Sequence, residues 1–353
     1  MRPLAFTIIL TSACRFLAAA QSALPMIPPD AGVVFGIEWR GILDSPAGAA
    51  LKAQLNNAEL AKLPPYMVFQ DTLVNNLDSV LIAAPVASFK GDTQPPALVI
   101  LKGRFQVAAL RAMIMGMGKG ATIEKYRTVE LISPPQSGTG VKSDNNRVAL
   151  LDANTILAGD RAQIRGAIDR IQAGRLAQSR SGILEAVTEL AAANHIWMAY
   201  TLPPDALKDV PKPMSQMFAD VKGGQIGVSF GNGLALRMNI RTKDSTSASL
   251  VAQTVQGFIG MAALSGGTQN PQLTDLMSKV KVAPEGSQVK IALTLDQSEF
   301  DKMIRDSQAV RQASQPAPGG MVARPPEPTG PKKIRITGLD SGPVEVPYSP
   351  TKK

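Results

Sequence analysis

The chain has 353 residues, of which 44% are apolar and only 5% aromatic, enough for two domains or two fused repeats with a core built chiefly from Ala, Leu, Val, Ile and Met. One cysteine, Cys14, and one histidine, His195, exclude a disulfide framework and any metal centre built from several cysteines or histidines. The net charge of +9 is uneven: residues 311–353 carry seven Lys/Arg against three Asp/Glu, the centre is nearly balanced, and no aromatic stacking set interleaves with the basic residues, so nucleic acid is excluded as a partner.

Residues 1–20 read as a secretory signal peptide. Arg2 supplies the positive start, Pro3 to Ala13 an apolar stretch, and Ala18-Ala19-Ala20 the small residues of a cleavage site, with a mature start near Gln21. A second reading makes Cys14, after Thr11-Ser12-Ala13, the acylated residue of a lipoprotein, although Thr11 stands where an aliphatic residue is usual. No second strongly apolar run follows, so no spanning helix is expected after the leader.

The mature chain reads as two similar α+β units, residues 21–176 and 177–310, each a mainly antiparallel sheet with helices packed on it. In the first, Val33 to Trp39 is a strand and Ser45-Pro46 opens a helix. Val80 to Ala84 and Ala97 to Lys102 form a strand pair, followed by a helix from Gln106 to Met117. Thr122 to Ile132 is read as one strand. Val148 to Leu151 and Thr155 to Ala158 pair across a turn, and Asp160 caps a helix stopped at Gly174. In the second unit a helix over 182–193 precedes a strand from His195 to Leu202 and a short helix from Pro211. The stretch Val221 to Phe258 reads as strand, tight turn at Gly231-Asn232-Gly233, strand and then helix. Asp244 or Ser245 caps a helix rich in Ala, Val and Ile. A helix from Leu273 to Val280, an alternating strand from Gln288 to Leu295 and a helix from Glu299 to Val310, capped by Ser298, complete it. Six prolines then mark residues 311–331 as a linker, and residues 332–353 are a basic tail in which Ile334, Ile336, Val344 and Val346 alternate with polar residues like a docking strand.

Chemical motifs are few. Gly227-Val228-Ser229-Phe230-Gly231 matches the nucleophile-elbow string, but a second strand follows where that fold needs a helix, and His195 precedes Ser229 rather than following it. Ser229 with His195 is therefore kept only as the hydrolase alternative. Gly118-Lys119-Gly120 lacks the remaining glycine and hydroxyl of a phosphate loop. Glu185 with Glu189 and Asp301 with Asp306 pair along helices. Met113, Met115 and Met117, with the apolar helix of 251–264, suggest a carrier of an apolar small molecule as another alternative. No cofactor is expected. In organisation, the leader, the doubled α+β unit and the proline-rich tail resemble exported bacterial proteins of unknown function. That resemblance implies a periplasmic or secreted chain. The reading that follows is a non-enzymatic binding or scaffold protein whose partner is a protein or other envelope component.

Overall fold

Along most strands the residues alternate between two faces, and the pairing register shows which side chains share a face. The computed structural model describes residues 22–46, 48, 76–85, 96–116, 120–134, 145–174, 183–203, 215, 218–266, 271–314, 332–336 and 344–348. The fold is α+β. Its strands are β1 (Val33–Ile37), β2 (Leu77–Ala84), β3 (Leu98–Gly103), β4 (Thr122–Tyr126), β5 (Val129–Ser133), β6 (Asn146–Asp152), β7 (Thr155–Asp160), β8 (Ile196–Thr201), β9 (Val221–Gly231), β10 (Gly233–Thr242), β11 (Lys281–Glu285) and β12 (Gln288–Asp296). The helices are α1 (Trp39–Asp44), α2 (Val107–Gly116), α3 (Arg161–Gln172), α4 (Ile183–Ala193), α5 (Ser245–Gly266), α6 (Pro271–Ser278) and α7 (Gln297–Ser314). Residues 1–20 and most of 311–331 lie outside the described residues, as do the helix opened at Pro46 beyond residue 48 and nearly all of the one expected from Pro211.

One antiparallel sheet takes all twelve strands, in the order β11-β12-β10-β9-β8-β1-β2-β3-β7-β6-β5-β4. The two halves of the chain meet at its centre, where β1 pairs with β8 from Val33 opposite Tyr200 to Ile37 opposite Ile196. Outward from β1 the order is β2, β3, β7, β6; outward from β8 it is β9, β10, β12, β11. The hairpin of β4 and β5 extends the first side only. Helix placement differs too: α3 follows β7 onto one face, whereas α7 follows β12 onto the other.

The register separates these faces. On the front, Val34, Leu81, Leu98, Ile100, Leu157 and Ala199 share a core with Ile164 and Ile168 of α3 and Val187 of α4. Full burial of such an aliphatic side chain stabilises the fold by roughly 1.5–3 kcal/mol. On the back, Phe105 and Leu110 cover Leu101 and Ile156. Ala248, Val251 and Ala252 of α5 cover Ile240 and Val289. Ile42 of α1 and Phe300 of α7 cover Phe230 and Leu295. Beyond α4 the front face carries Gln225, Arg237, Asn239 and Lys290, none of them fully buried, as expected of an antiparallel sheet with one wet side.

Both sheet edges are guarded. β11 holds Lys281, Pro284 and Glu285. β4 is pinned to α3 by ion pairs of Glu124 with Arg161 and Arg165, and by Tyr126, whose hydroxyl donates to Asp169 at 2.9 Å.

Several local expectations need correction. β1 ends at Ile37, and Trp39 belongs to α1. The stretch 122–132 is a hairpin, turned at Arg127 with φ of 53°, a conformation that no glycine announces. β11 is an additional strand, hidden by Pro284. Asp296, not Ser298, caps α7: its carboxylate accepts the Glu299 N–H at 2.9 Å while the Glu299 carboxylate accepts the Asp296 N–H at 2.9 Å. Elsewhere the capping chemistry is as read. Asp160 accepts from Ala162 N–H, Asp244 from Ser247 N–H, and Ser45 Oγ from Gly48 N–H.

The second compact part, Asp306–Lys353, contains an antiparallel hairpin of β13 (Lys332–Ile336) and β14 (Val344–Tyr348), with Ile334 opposite Val346 and Ile336 opposite Val344. The docking strand read from the tail is thus a pair of strands joined to each other.

Candidate binding surfaces

α5 has no Lys, Arg, Asp or Glu in its 22 residues. Such a helix has no charged face, so its sequence carries little phase, and packing decides which side is covered. Ala248, Val251 and Ala252 face the sheet, and the helix lies over β10, β11 and β12 and against α6. Gln256 Nε2 donates to the Val282 carbonyl, and Thr274 Oγ1 of α6 to the Ala263 carbonyl. The other side is bare. Leu250 is 58% exposed, Phe258 49%, Met261 58% and Leu264 83%. Leu250, Gly257, Met261 and Leu264 fall on one line along the helix, and a Cβ at Gly257 or Gly260 would meet nothing within 4 Å. Among the described residues, Ser245–Leu264 is also a helix long and apolar enough to cross a bilayer by length and composition. Interspersed Ser, Thr, Gln and Gly disguise its length in the sequence. Val251 and Ala252, read as lining a carrier cavity, are packed against the sheet, and Met113 is at the surface.

Near the centre of the sheet, Glu38 follows the end of β1 and His195 precedes β8. The Glu38 N–H donates to the His195 carbonyl at 2.6 Å. Glu38 is 5% exposed, and burial above all lifts its carboxyl pKa from 4.5 to about 8. The Trp197 indole N–H opposes that shift, although the pair falls short of full hydrogen-bond geometry and Nε1 stays buried without a partner; the charge of Asp78 adds to it. Asp78 itself pairs with Arg40 at 3.3 Å. His195 is half-buried, and burial pushes its pKa down. Its Nδ1 accepts the Phe230 N–H at 3.0 Å, which fixes a proton on Nε2 in the neutral ring, and the ring packs on Phe230. Ser229 stands inside β9 opposite Ala235, not on a turn into a helix. The nucleophile-elbow geometry is absent at Ser229.

A third feature lies on the front face, where α4 meets the wet half of the sheet. A cleft of about 240 Å³ is walled by Glu185, Ala186 and Glu189 of α4 and floored by Ala199, Gln225 and Arg241. The helix-borne carboxylates Glu185 and Glu189 thus line one opening. Sequence reasoning missed Arg241, which reaches the cleft only because β10 lies two strands from β8. Asp301 and Asp306 belong to α7. Among the described residues no three His, Cys, Asp or Glu side chains converge as a metal site would require.

No family model matches the chain, and no curated protein matches it in sequence. Among solved structures it is similar to crystal forms III, IV and I of TP0453, with TM-scores of 0.44, 0.47 and 0.46. Identity is 9% in each case, over 80% of this chain and 97%, 95% and 96% of those chains. At that level the likeness assigns neither a site nor an activity.

Proposed function

We propose that this chain is an exported, non-enzymatic binding protein that holds a protein of the bacterial envelope through the bare side of α5. The leader supports export. The observation that carries the reading is the line of Leu250, Met261 and Leu264, with Phe258 beside it, on a helix with no charge. Exposed apolar surface of this kind is costly unless something covers it.

The chemistry favours a protein helix over a lipid surface. Interfacial lipid-binding helices carry Lys and Arg to meet headgroups, and α5 has neither. Gly257 and Gly260 leave room for a second helix to approach closely, and Met261 adapts to its shape. The tail hairpin, with Ile334, Ile336, Val344 and Val346, offers a second contact, in which strand addition uses its outer edges.

The test replaces Met261 and Leu264 by Glu in the full chain. Untouched protein should co-purify with one envelope protein in stoichiometric amount, and the variant should lose it while keeping its unfolding midpoint. Equal recovery with both chains refutes the reading, as does flotation of the untouched protein with protein-free vesicles that the variant no longer joins.

A further inference from the structure

The cleft between α4 and the wet half of the front face holds charges that do not answer one another. Two carboxylates, Glu185 and Glu189, and one guanidinium, Arg241, share an opening of about 240 Å³. Among the described residues none of the three has an ion pair, and the Gln225 side chain beside them has no hydrogen bond. Arg241 Nε is buried and lacks a hydrogen-bond partner. An arginine that shares an opening with two glutamates would ordinarily meet one of them, and an unpaired buried donor is destabilising.

Gly223 lies opposite Arg241 with φ of 148°, and a Cβ there would stand 3.2 Å from Arg241 Nη2 and press on the neighbouring strand. Glycine at this position clears the seat of the guanidinium.

We propose that the cleft binds a free basic amino acid, its carboxylate on Arg241 and Gln225 and its two ammonium groups on Glu185 and Glu189. The local charge is one cation against two anions, so its complement is one anion and two cations. Residues four apart on a helix have Cβ atoms about 6 Å apart, a span that the flexible chain between the two ammonium groups of a lysine-like molecule can meet. The volume lies below that of sites for larger ligands and suits a single amino acid. A simple anion would be repelled by the paired glutamates. A diamine would leave Arg241 unanswered.

Titration calorimetry on the full chain separates these cases, with L-lysine, norleucine (no side-chain ammonium) and 1,5-diaminopentane (no carboxylate) as probes. Lysine should bind with a Kd below about 1 mM, and each of the others at least about tenfold more weakly. Arg241→Met should bring lysine down to the level of the diamine. Glu185→Gln with Glu189→Gln should bring it down to the level of norleucine. Both glutamates are exposed, so that variant keeps the test sound even if Arg241→Met disturbs the sheet. Absence of lysine binding, equal binding of either analogue, or lysine binding unchanged by the glutamine pair overturns the proposal.

Discussion

Glu38 should make this protein lose stability as the solution turns alkaline, and its replacement by glutamine should remove much of that loss. In the folded chain the carboxyl binds its proton up to about pH 8, whereas its ordinary pKa is 4.5. Between those values the native state holds a proton that the unfolded chain has released, so unfolding becomes easier with rising pH. The stability linked to this proton is intact below about pH 4.5 and gone above about pH 8. At about 1.4 kcal/mol per unit, the total is on the order of 5 kcal/mol, comparable with the whole stability of many domains. Glu38→Gln keeps the shape of the protonated side chain and cannot ionise. Urea unfolding followed by the fluorescence of Trp39 and Trp197 at pH 5, 7 and 9 measures both chains. The variant should match or trail the parent at pH 5 and exceed it by several kcal/mol at pH 9. Parallel pH profiles would refute the reasoning, because every other titrating group is common to the two chains.

Two further predictions test the packing at Trp197 and the cap of α3. A Cβ at Gly36 would clash with the edge of the Trp197 ring, so Gly36→Ala should lower stability by about 1–3 kcal/mol and alter the tryptophan emission of the native state; an unchanged urea midpoint would show that the ring has another place to go. Asp160 accepts the Ala162 and Gln163 N–H groups at 2.8 and 3.2 Å, so Asp160→Ala should cost about 1 kcal/mol of stability, while Asp160→Asn should restore most of it.

The elements that were legible in the sequence are those whose signals are local. Asp160 and Asp244 stand next to apolar helical runs, and a carboxylate there satisfies free N–H groups whatever lies beyond. Gly231-Asn232-Gly233 announces the turn between β9 and β10, because few other residues take that shape. Where local signals were weak or misleading, the reading missed. Arg127 turns a hairpin without glycine, Pro284 hides an edge strand, and Asp296 with Glu299 outdoes Ser298 as the cap of α7. The cleft was half legible: Glu185 and Glu189 show their spacing, but Arg241 lies 52 residues beyond Glu189 and meets them only through strand pairing.

The sequence by itself determined that this chain alternates hairpins with capped helices, because side-chain period and capping are settled within a few residues. Only the tertiary structure decided that β1 and β8 join both halves into one sheet, since pairing across more than 150 residues depends on register and not on any local pattern. It also decided which side of α5 stays bare and that Glu38 is shut away from water. A helix without charge has no preferred side, and a carboxyl is buried only when neighbouring strands close over it.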